Sequence, residues 1–141
     1  MTTRDRLVEA AITATGLDDF GSDSWQEGLD LLLLSLDATA DLNDIGVSVA
    51  EGGVVTDLSN RLLIEGWRRD HPEVATQRVD RPIIIVGQPR TGTTILFDLM
   101  AQDPTNRAPL SWEIERPVPA PRTATYGTDP RIAEAQAGFD L

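Results

Sequence analysis

The segment from residue 87 to residue 94 carries the residue types of an anion-binding loop. Its sequence is Gly-Gln-Pro-Arg-Thr-Gly-Thr-Thr, between a β-branched run and a helical pattern. A strand-to-helix loop of this kind aims backbone N–H groups and the positive end of a helix dipole at one point. Glycines let the backbone approach a ligand closely, and an arginine supplies a permanent charge suited to phosphate-type oxygens. The predicted ligand contacts are Gly87, Pro89, Arg90, Thr91, Gly92, Thr93 and Thr94.

The loop departs at one position from the nucleoside triphosphate-binding pattern G-x-x-x-x-G-K-[ST]. Gly87 and Gly92 have the required separation, and Thr94 is of the required type. Thr93 stands where that pattern has lysine, and the positive charge lies inside the loop on Arg90. A divergent phosphoryl-transfer enzyme is one interpretation of this pattern, and a turn that binds nothing is another.

Composition excludes several other kinds of chemistry. The chain has no cysteine, and its 12 basic side chains are all arginine, so thiolate nucleophiles, disulfides and Schiff-base lysines are excluded. His71 is the single histidine, which leaves no multi-histidine metal site, and we expect no metal. The net charge of −11 opposes non-specific binding to nucleic acid or to an anionic membrane.

No apolar run approaches the ~20 residues of a membrane span. The longest leucine run covers only Leu31–Leu34, and the N-terminus lacks the apolar core of a signal peptide. A cytoplasmic location is therefore the expectation. We interpret the leucine run as core packed against the α/β part of the chain, with an exposed face that pairs two copies into a homo-oligomer as the alternative.

The elements that must position the loop differ between the two halves of the chain. Residues 1–80 contain 16 acids and 6 arginines, whereas residues 81–141 contain 7 and 6, and all nine prolines lie at or after Pro72. Apolar residues at helical spacing predict helices over 4–14, from Ser24 onward and over 54–69, with breaks at the glycines 46, 52 and 53. Ser24 and Glu27 have capping-box spacing. The first domain, residues 1–80, is therefore predicted to be all helical.

The second domain, residues 81–141, is predicted to begin an α/β fold. Four β-branched residues, Ile83–Val86, are typical of a parallel strand buried on both faces. The apolar pattern of residues 94–100 predicts a buried helix, residues 107–112 a second strand, and residues 129–137 a further helix. Strand, loop, helix and strand in this order predict a P-loop-type parallel sheet that is incomplete in this chain.

The sequence Pro89-Arg-Thr-Gly-Thr-Thr94 after a β-branched strand resembles the 5′-phosphosulfate-binding loop of sulfotransferases. That loop usually has the form Pro-Lys/Arg-Ser/Thr-Gly-Thr-Thr, and these enzymes use 3′-phosphoadenylyl sulfate (PAPS). The flanking sequence also resembles the actinobacterial sulfotransferase-like family. The similar segments are the acidic helical N-terminal region, Arg81 to Gly87, Leu99 to Pro104, and Arg107 to Glu113.

The resemblance implies in-line transfer of a sulfuryl group from PAPS to a hydroxyl or amine of a small-molecule acceptor, without a metal. The loop would hold the 5′-phosphosulfate, and Arg90 would stabilise the charge that develops on the leaving oxygen. In tyrosylprotein-type members a glutamate some twenty residues past the loop is the general base. Glu113, 23 residues past Arg90, matches it best, with Glu115 second, whereas His71 lies upstream of the loop.

The family places the 3′-phosphate contacts and the acceptor pocket on later elements, in chains commonly more than twice this length. The resemblance therefore implies that this chain is the N-terminal part of a longer enzyme, or a truncated remnant. A non-catalytic helical interaction module, in which the loop is a remnant, is the alternative from a different functional class.

Overall fold

The computed structural model describes residues 1–139 and contains helices throughout this range. The α-helices are α1 (Thr3–Thr15), α2 (Ser24–Thr39), α3 (Asp44–Asp70), α4 (Thr93–Ala101), α5 (Ser111–Glu115) and α6 (Pro130–Phe139). Short 3₁₀ turns occur at Pro72–Thr76 and Thr123–Thr125. Contacts divide the chain into an N-terminal unit, residues 1–74, and a C-terminal unit that begins at residue 75.

The N-terminal unit is built on an apolar core to which α1, α2 and α3 contribute. Its buried side chains recur at helical spacing, and they are Leu7, Ala11, Leu29, Val54, Leu58 and Leu62. Both ends of α1 are capped: Thr2 and Asp5 form a capping box, and Gly16 ends the helix with φ 69°. The helix predicted over residues 4–14 is thus confirmed, with one further residue at each end.

Helix α3 differs from the prediction because it runs unbroken through the glycines that were expected to interrupt it. The helix begins after Asn43, whose side chain accepts a hydrogen bond from the Gly46 N–H at 2.8 Å. An interior glycine costs about 1 kcal/mol relative to alanine. The apolar residues that α3 buries, Val54, Leu58 and Leu62, all follow these glycines, so burial stabilises the part of the helix that was predicted. The helix extends from that part back to the Asn43 cap, because adding a turn to an existing helix costs far less than starting a new one.

Helix α2 corrects a second local prediction. The capping box expected at Ser24 and Glu27 is not formed, because the N-cap residue is Asp23, which makes no side-chain cap bond. The helix still forms from Ser24, and Leu29 is its one buried residue. The apolar pattern predicted the helix correctly, whereas the capping signal did not describe how it starts.

The predicted α/β fold with a parallel sheet is wrong for the part of the chain that the structure describes, because residues 1–139 contain no strand. Ile83, Ile84 and Val86 are 61%, 77% and 88% exposed, and their segment has no paired neighbour. The second predicted strand is replaced by α5, which begins at Ser111. A strand is defined by its ladder of hydrogen bonds to another strand, so a β-branched sequence without a partner remains single extended chain.

The C-terminal unit is held together largely by one arginine. Arg131 forms a bidentate ion pair with Asp129, with N···O distances of 2.8 Å. It also donates to the carbonyls of Arg116 and Pro119 at 2.8 and 2.7 Å, and its guanidinium lies 4.7 Å from the centre of the Trp112 ring. These bonds fasten α6 to α5 and to the proline-rich segment between them.

Candidate functional site: a preset loop and a buried carboxylate

The loop from Gly87 to Thr94 has a backbone that few residues adopt. Arg90 and Gly92 have φ of 65° and 89°, in the left-handed region that disfavours a side chain. The Thr91 hydroxyl donates to the Gln88 carbonyl at 2.7 Å and closes the turn. A Cβ added at Gly87 would lie 2.8 Å from both Thr91 Oγ1 and Thr93 Cγ2, so the close packing of the loop at this position requires glycine. The loop shape is therefore set by its own contacts.

The loop leads directly into the N-terminus of α4. Gly92 is the N-cap residue, and with no side chain it makes no cap bond. The first helical bond runs from the Leu96 N–H to the Gly92 carbonyl at 3.0 Å. The N–H groups of Thr93, Thr94 and Ile95 precede that bond and have no partner within the helix. They form, with the helix dipole, a group of donors at the end of the loop.

Arg90 adds a cation to this group of donors. Its side chain is exposed, and within residues 1–139 it makes no hydrogen bond or ion pair. Arg81 and Arg122 of the same unit are likewise unpaired within that range, whereas three other arginines each pair with a carboxylate, namely Arg107, Arg116 and Arg131. The strained residue of the loop is thus also a charge that no neighbouring acid neutralises.

Glu113 is the second predicted site residue, and its carboxylate is buried, with 7% of the residue exposed. Oε2 accepts hydrogen bonds from the Leu110 N–H and the Tyr126 hydroxyl, both at 2.7 Å, while Arg107 donates to Oε1. Burial alone raises the pKa of Glu113, but the bonds from Leu110, Tyr126 and Arg107 outweigh it and hold that pKa below its ordinary value. The bond to Glu113 in turn raises the pKa of Tyr126.

The structure brings the loop residues together but gives Glu113 different neighbours. The hydrogen-bond partners of Glu113 are Arg107, Leu110 and Tyr126, none of which belongs to the loop. His71 lies in the N-terminal unit, where it ends α3, stacks on Trp67 at 3.9 Å, and places Nδ1 3.0 Å from the Trp67 carbonyl.

Sequence reasoning missed the roles of Arg107 and Tyr126. Glu113 is the third residue of α5, and a glutamate at that position commonly accepts from the N-cap backbone, as it does here from Leu110. This spacing could have indicated that the carboxylate is held. Tyr126 lies 13 residues away, and no local pattern connects the two residues.

The described residues show neither a metal-binding cluster nor a membrane-spanning helix. No group of three or more histidine, cysteine, aspartate or glutamate side chains in that range is arranged to hold a metal ion. No helix within the same range combines the length and apolarity needed to cross a membrane.

Comparison with known proteins gives two matches. Residues 82–140, which include the loop and Glu113, match the family model described as Sulfotransferase family. The structure is similar to the crystal structure of sulfotransferase STF9 from Mycobacterium avium, with a TM-score of 0.83 and 36% sequence identity. That match covers 99% of this chain and 36% of the other, so this chain spans about a third of its length. The curated proteins gave no match.

Proposed function

We propose that this chain carries the donor-binding loop of a PAPS-dependent sulfotransferase, and the two matches support a sulfotransferase-like protein. The reaction would transfer a sulfuryl group from PAPS to a hydroxyl or amine of a small-molecule acceptor. In this proposal the loop residues from Gly87 to Thr94 bind the 5′-phosphosulfate, and Glu113 accepts the acceptor's proton.

The observation that carries the proposal is the coincidence of free donors at one loop. Three first-turn N–H groups of α4 lack helical partners, and the adjacent Arg90 guanidinium has none among residues 1–139. A phosphosulfate presents several oxygens and negative charge, which suits this set of donors. The Thr91 hydroxyl is engaged with Gln88, so that residue would contribute through its backbone N–H.

When bound, PAPS supplies the sulfuryl group. Arg90 and the amides of the α4 N-terminus would offset negative charge on the phosphate side. The loop is held by the Thr91–Gln88 bond and by the close packing at Gly87, so these donors need little reorganisation during the reaction.

Glu113 would act as the general base from an ionised carboxylate. Its pKa is held low by three donors, which makes it a weak base while all three remain bonded. Leu110 and Tyr126 both bond Oε2, whereas Arg107 bonds Oε1 and its side chain is 62% exposed. The acceptor would therefore approach Oε1 and displace Arg107.

The loop assignment is tested by thermal unfolding of the full chain with adenosine 3′,5′-bisphosphate. A ligand present at ~100 times its Kd stabilises the folded state by about 2.7 kcal/mol. We expect stabilisation of the wild type and of Arg122→Ala, an exposed arginine outside the loop, and loss of stabilisation in Arg90→Ala. Circular dichroism checks that both variants keep their helices.

Other outcomes would contradict the assignment. Undiminished stabilisation in Arg90→Ala would remove Arg90 from the site. Stabilisation by ATP with Mg²⁺ alone would favour a phosphoryl-transfer enzyme, and no stabilisation by either nucleotide would favour a non-catalytic module.

A further inference from the structure

A groove of about 610 Å³ opens on the N-terminal unit beside the helix pair α2 and α3. The backbone of α2 approaches that of α1 but not that of α3, and the groove occupies the resulting space. Leu34, Leu42 and Val47 contribute apolar surface to it, and Asp37, Asp41 and Glu51 contribute carboxylates. The groove therefore combines an apolar lining with an acidic border.

The apolar lining is more exposed than the fold of this unit requires. Leu34, Leu42 and Val47 are 64%, 39% and 42% exposed. Helix α2 buries only Leu29, although the four consecutive leucines Leu31–Leu34 extend apolar surface around the helix. A contiguous exposed apolar surface with a polar border is typical of an interaction site.

The border selects the charge of the partner. Within residues 1–139, Asp37 and Asp41 make no hydrogen bond or ion pair, whereas Glu51 is paired with Arg6. Residues 1–80 carry 16 acids against 6 arginines. This field repels a second copy of the same surface and anionic lipid, and it attracts a cationic partner.

The walls of the groove select the conformation of the partner. They are helices except at the connection between α2 and α3, which contributes Asp41 and Leu42, and none of these segments is a strand to whose edge an extended peptide could add. A helical partner brings its own satisfied backbone. A helix with side chains is about 10 Å wide and rises about 5.4 Å per turn, or roughly 420 Å³ per turn, so the groove accommodates between one and two turns.

We propose that this groove docks a cationic amphipathic helix of a partner protein. Apolar anchors of the partner, spaced at i, i+3 or i+4, and i+7, would contact Leu34, Leu42 and Val47. Its lysines or arginines would face Asp37 and Asp41. The proposal concerns the N-terminal unit alone and does not depend on the donor loop.

The test uses a fluorescent peptide of about 18 residues, made of leucine and lysine, with the leucines on one helical face. Fluorescence anisotropy measures its binding to the full chain. A scrambled isomer without an apolar face and a leucine–glutamate helix are the peptide controls. The double variant Asp37→Asn/Asp41→Asn alters the border, and the double variant Leu34→Ser/Val47→Ser alters the lining. The control is Asp18→Asn/Asp98→Asn, which removes the same charge elsewhere on the chain.

We expect saturable binding of the leucine–lysine helix only. Each groove double variant should weaken it about tenfold at low salt. The effect of the aspartate pair should fade near 1 M salt, where the Debye length is about 3 Å. The Asp18/Asp98 control should bind as the wild type does, and circular dichroism should be unchanged in all variants.

Three results would overturn the proposal. They are no binding, equal binding of the scrambled isomer, and binding that survives both groove double variants. Sedimentation equilibrium provides a further check: self-association abolished by Leu34→Ser/Val47→Ser would assign the groove to a second copy instead of a cationic helix.

Discussion

Glu113 shows how the surroundings of one residue decide what its carboxylate can do. The sequence predicted a general base by resemblance, and that role stays a prediction. In the structure three groups donate hydrogen bonds to this carboxylate, and one of them, Arg107, has an exposed side chain. A carboxylate bonded in this way stabilises the folded unit through its charge, whatever its part in catalysis.

The decrease in the free energy of unfolding at acid pH should therefore depend on Glu113. Its pKa is depressed on folding, so its contribution is present above its ordinary value of 4.5 and is lost as pH falls through the folded-state value. We expect the free energy of unfolding of Glu113→Gln to fall less between neutral pH and about pH 3 than that of the wild type. Urea denaturation at a series of pH values measures this.

Tyr126→Phe is the companion variant, because it removes one donor and leaves the carboxylate in place. The loss of a hydrogen bond to a charged group should lower stability at neutral pH by about 1.5–3 kcal/mol.

Glu9→Gln is the matched control for Glu113→Gln, because Glu9 is exposed on α1. A decrease at acid pH in Glu113→Gln identical to that of the wild type would show that the carboxylate contributes nothing through its charge.

At the scale of elements, local periodicity predicted α1, α4 and α6 well. The helices predicted over residues 94–100 and 129–137 appear as Thr93–Ala101 and Pro130–Phe139, but the prediction that the first is buried is wrong, because α4 has no buried residue. Period 3.6 is a property of one segment, so a single sequence can report it. The strand predictions were wrong because a strand forms only where a second strand bonds to it. The sequence of Ile83–Val86 reports the preference of one segment and not the presence of that second strand.

The candidate site divides in the same way. The loop residues are contiguous, so the glycine spacing and the Arg90 position were available from the sequence. Glu113 lies on α5, and its partners are Arg107 and Leu110 from the preceding segment and Tyr126 from a later one, so the meeting with Tyr126 depends on a tertiary contact. Arg131, which fastens α6, carried no sequence signal either.

The prediction at the scale of elements concerns Arg131 and the attachment of α6. Its side chain and that of Asp129 are 10% and 11% exposed, so Arg131→Met would leave a carboxylate and two carbonyls without their donors. We expect a lower free energy of unfolding than that of the wild type, because removal of one partner leaves the other charge unpaired. Urea denaturation measures it, with the exposed Arg122→Met as control. Equal stability of both variants would show that α6 is held by other contacts.

At the scale of the whole molecule, the two units differ in how much apolar surface they bury. The N-terminal unit has six buried apolar residues in one cluster, whereas Trp112 is the single buried apolar residue among the described residues of the C-terminal unit. The C-terminal unit instead exposes several aliphatic side chains, including Ile83, Ile84, Val86, Ile95 and Leu99. Because hydrophobic burial is the main favourable contribution to folding, the units should differ in independent stability.

We expect a peptide of residues 1–74 to fold alone and one of residues 75–141 to remain largely unfolded. Far-ultraviolet circular dichroism and urea titration distinguish the two states, and a cooperative transition is expected only for the first peptide. The apolar surface of the second peptide should also promote aggregation, which light scattering would detect. Cooperative unfolding of the second peptide alone would contradict this account.

The position of Trp112 makes its fluorescence a probe of the C-terminal unit. It is the one tryptophan after residue 74, and its indole lies beneath the Arg131 guanidinium, with its centre 5.6 Å from that of the Tyr126 ring. Separation of α6 from α5 would uncover that indole to water and shift its emission to longer wavelength. Because Tyr126 also bonds Glu113, the emission of Trp112, once separated from that of the two tryptophans of the N-terminal unit, would report whether the carboxylate still has its surroundings.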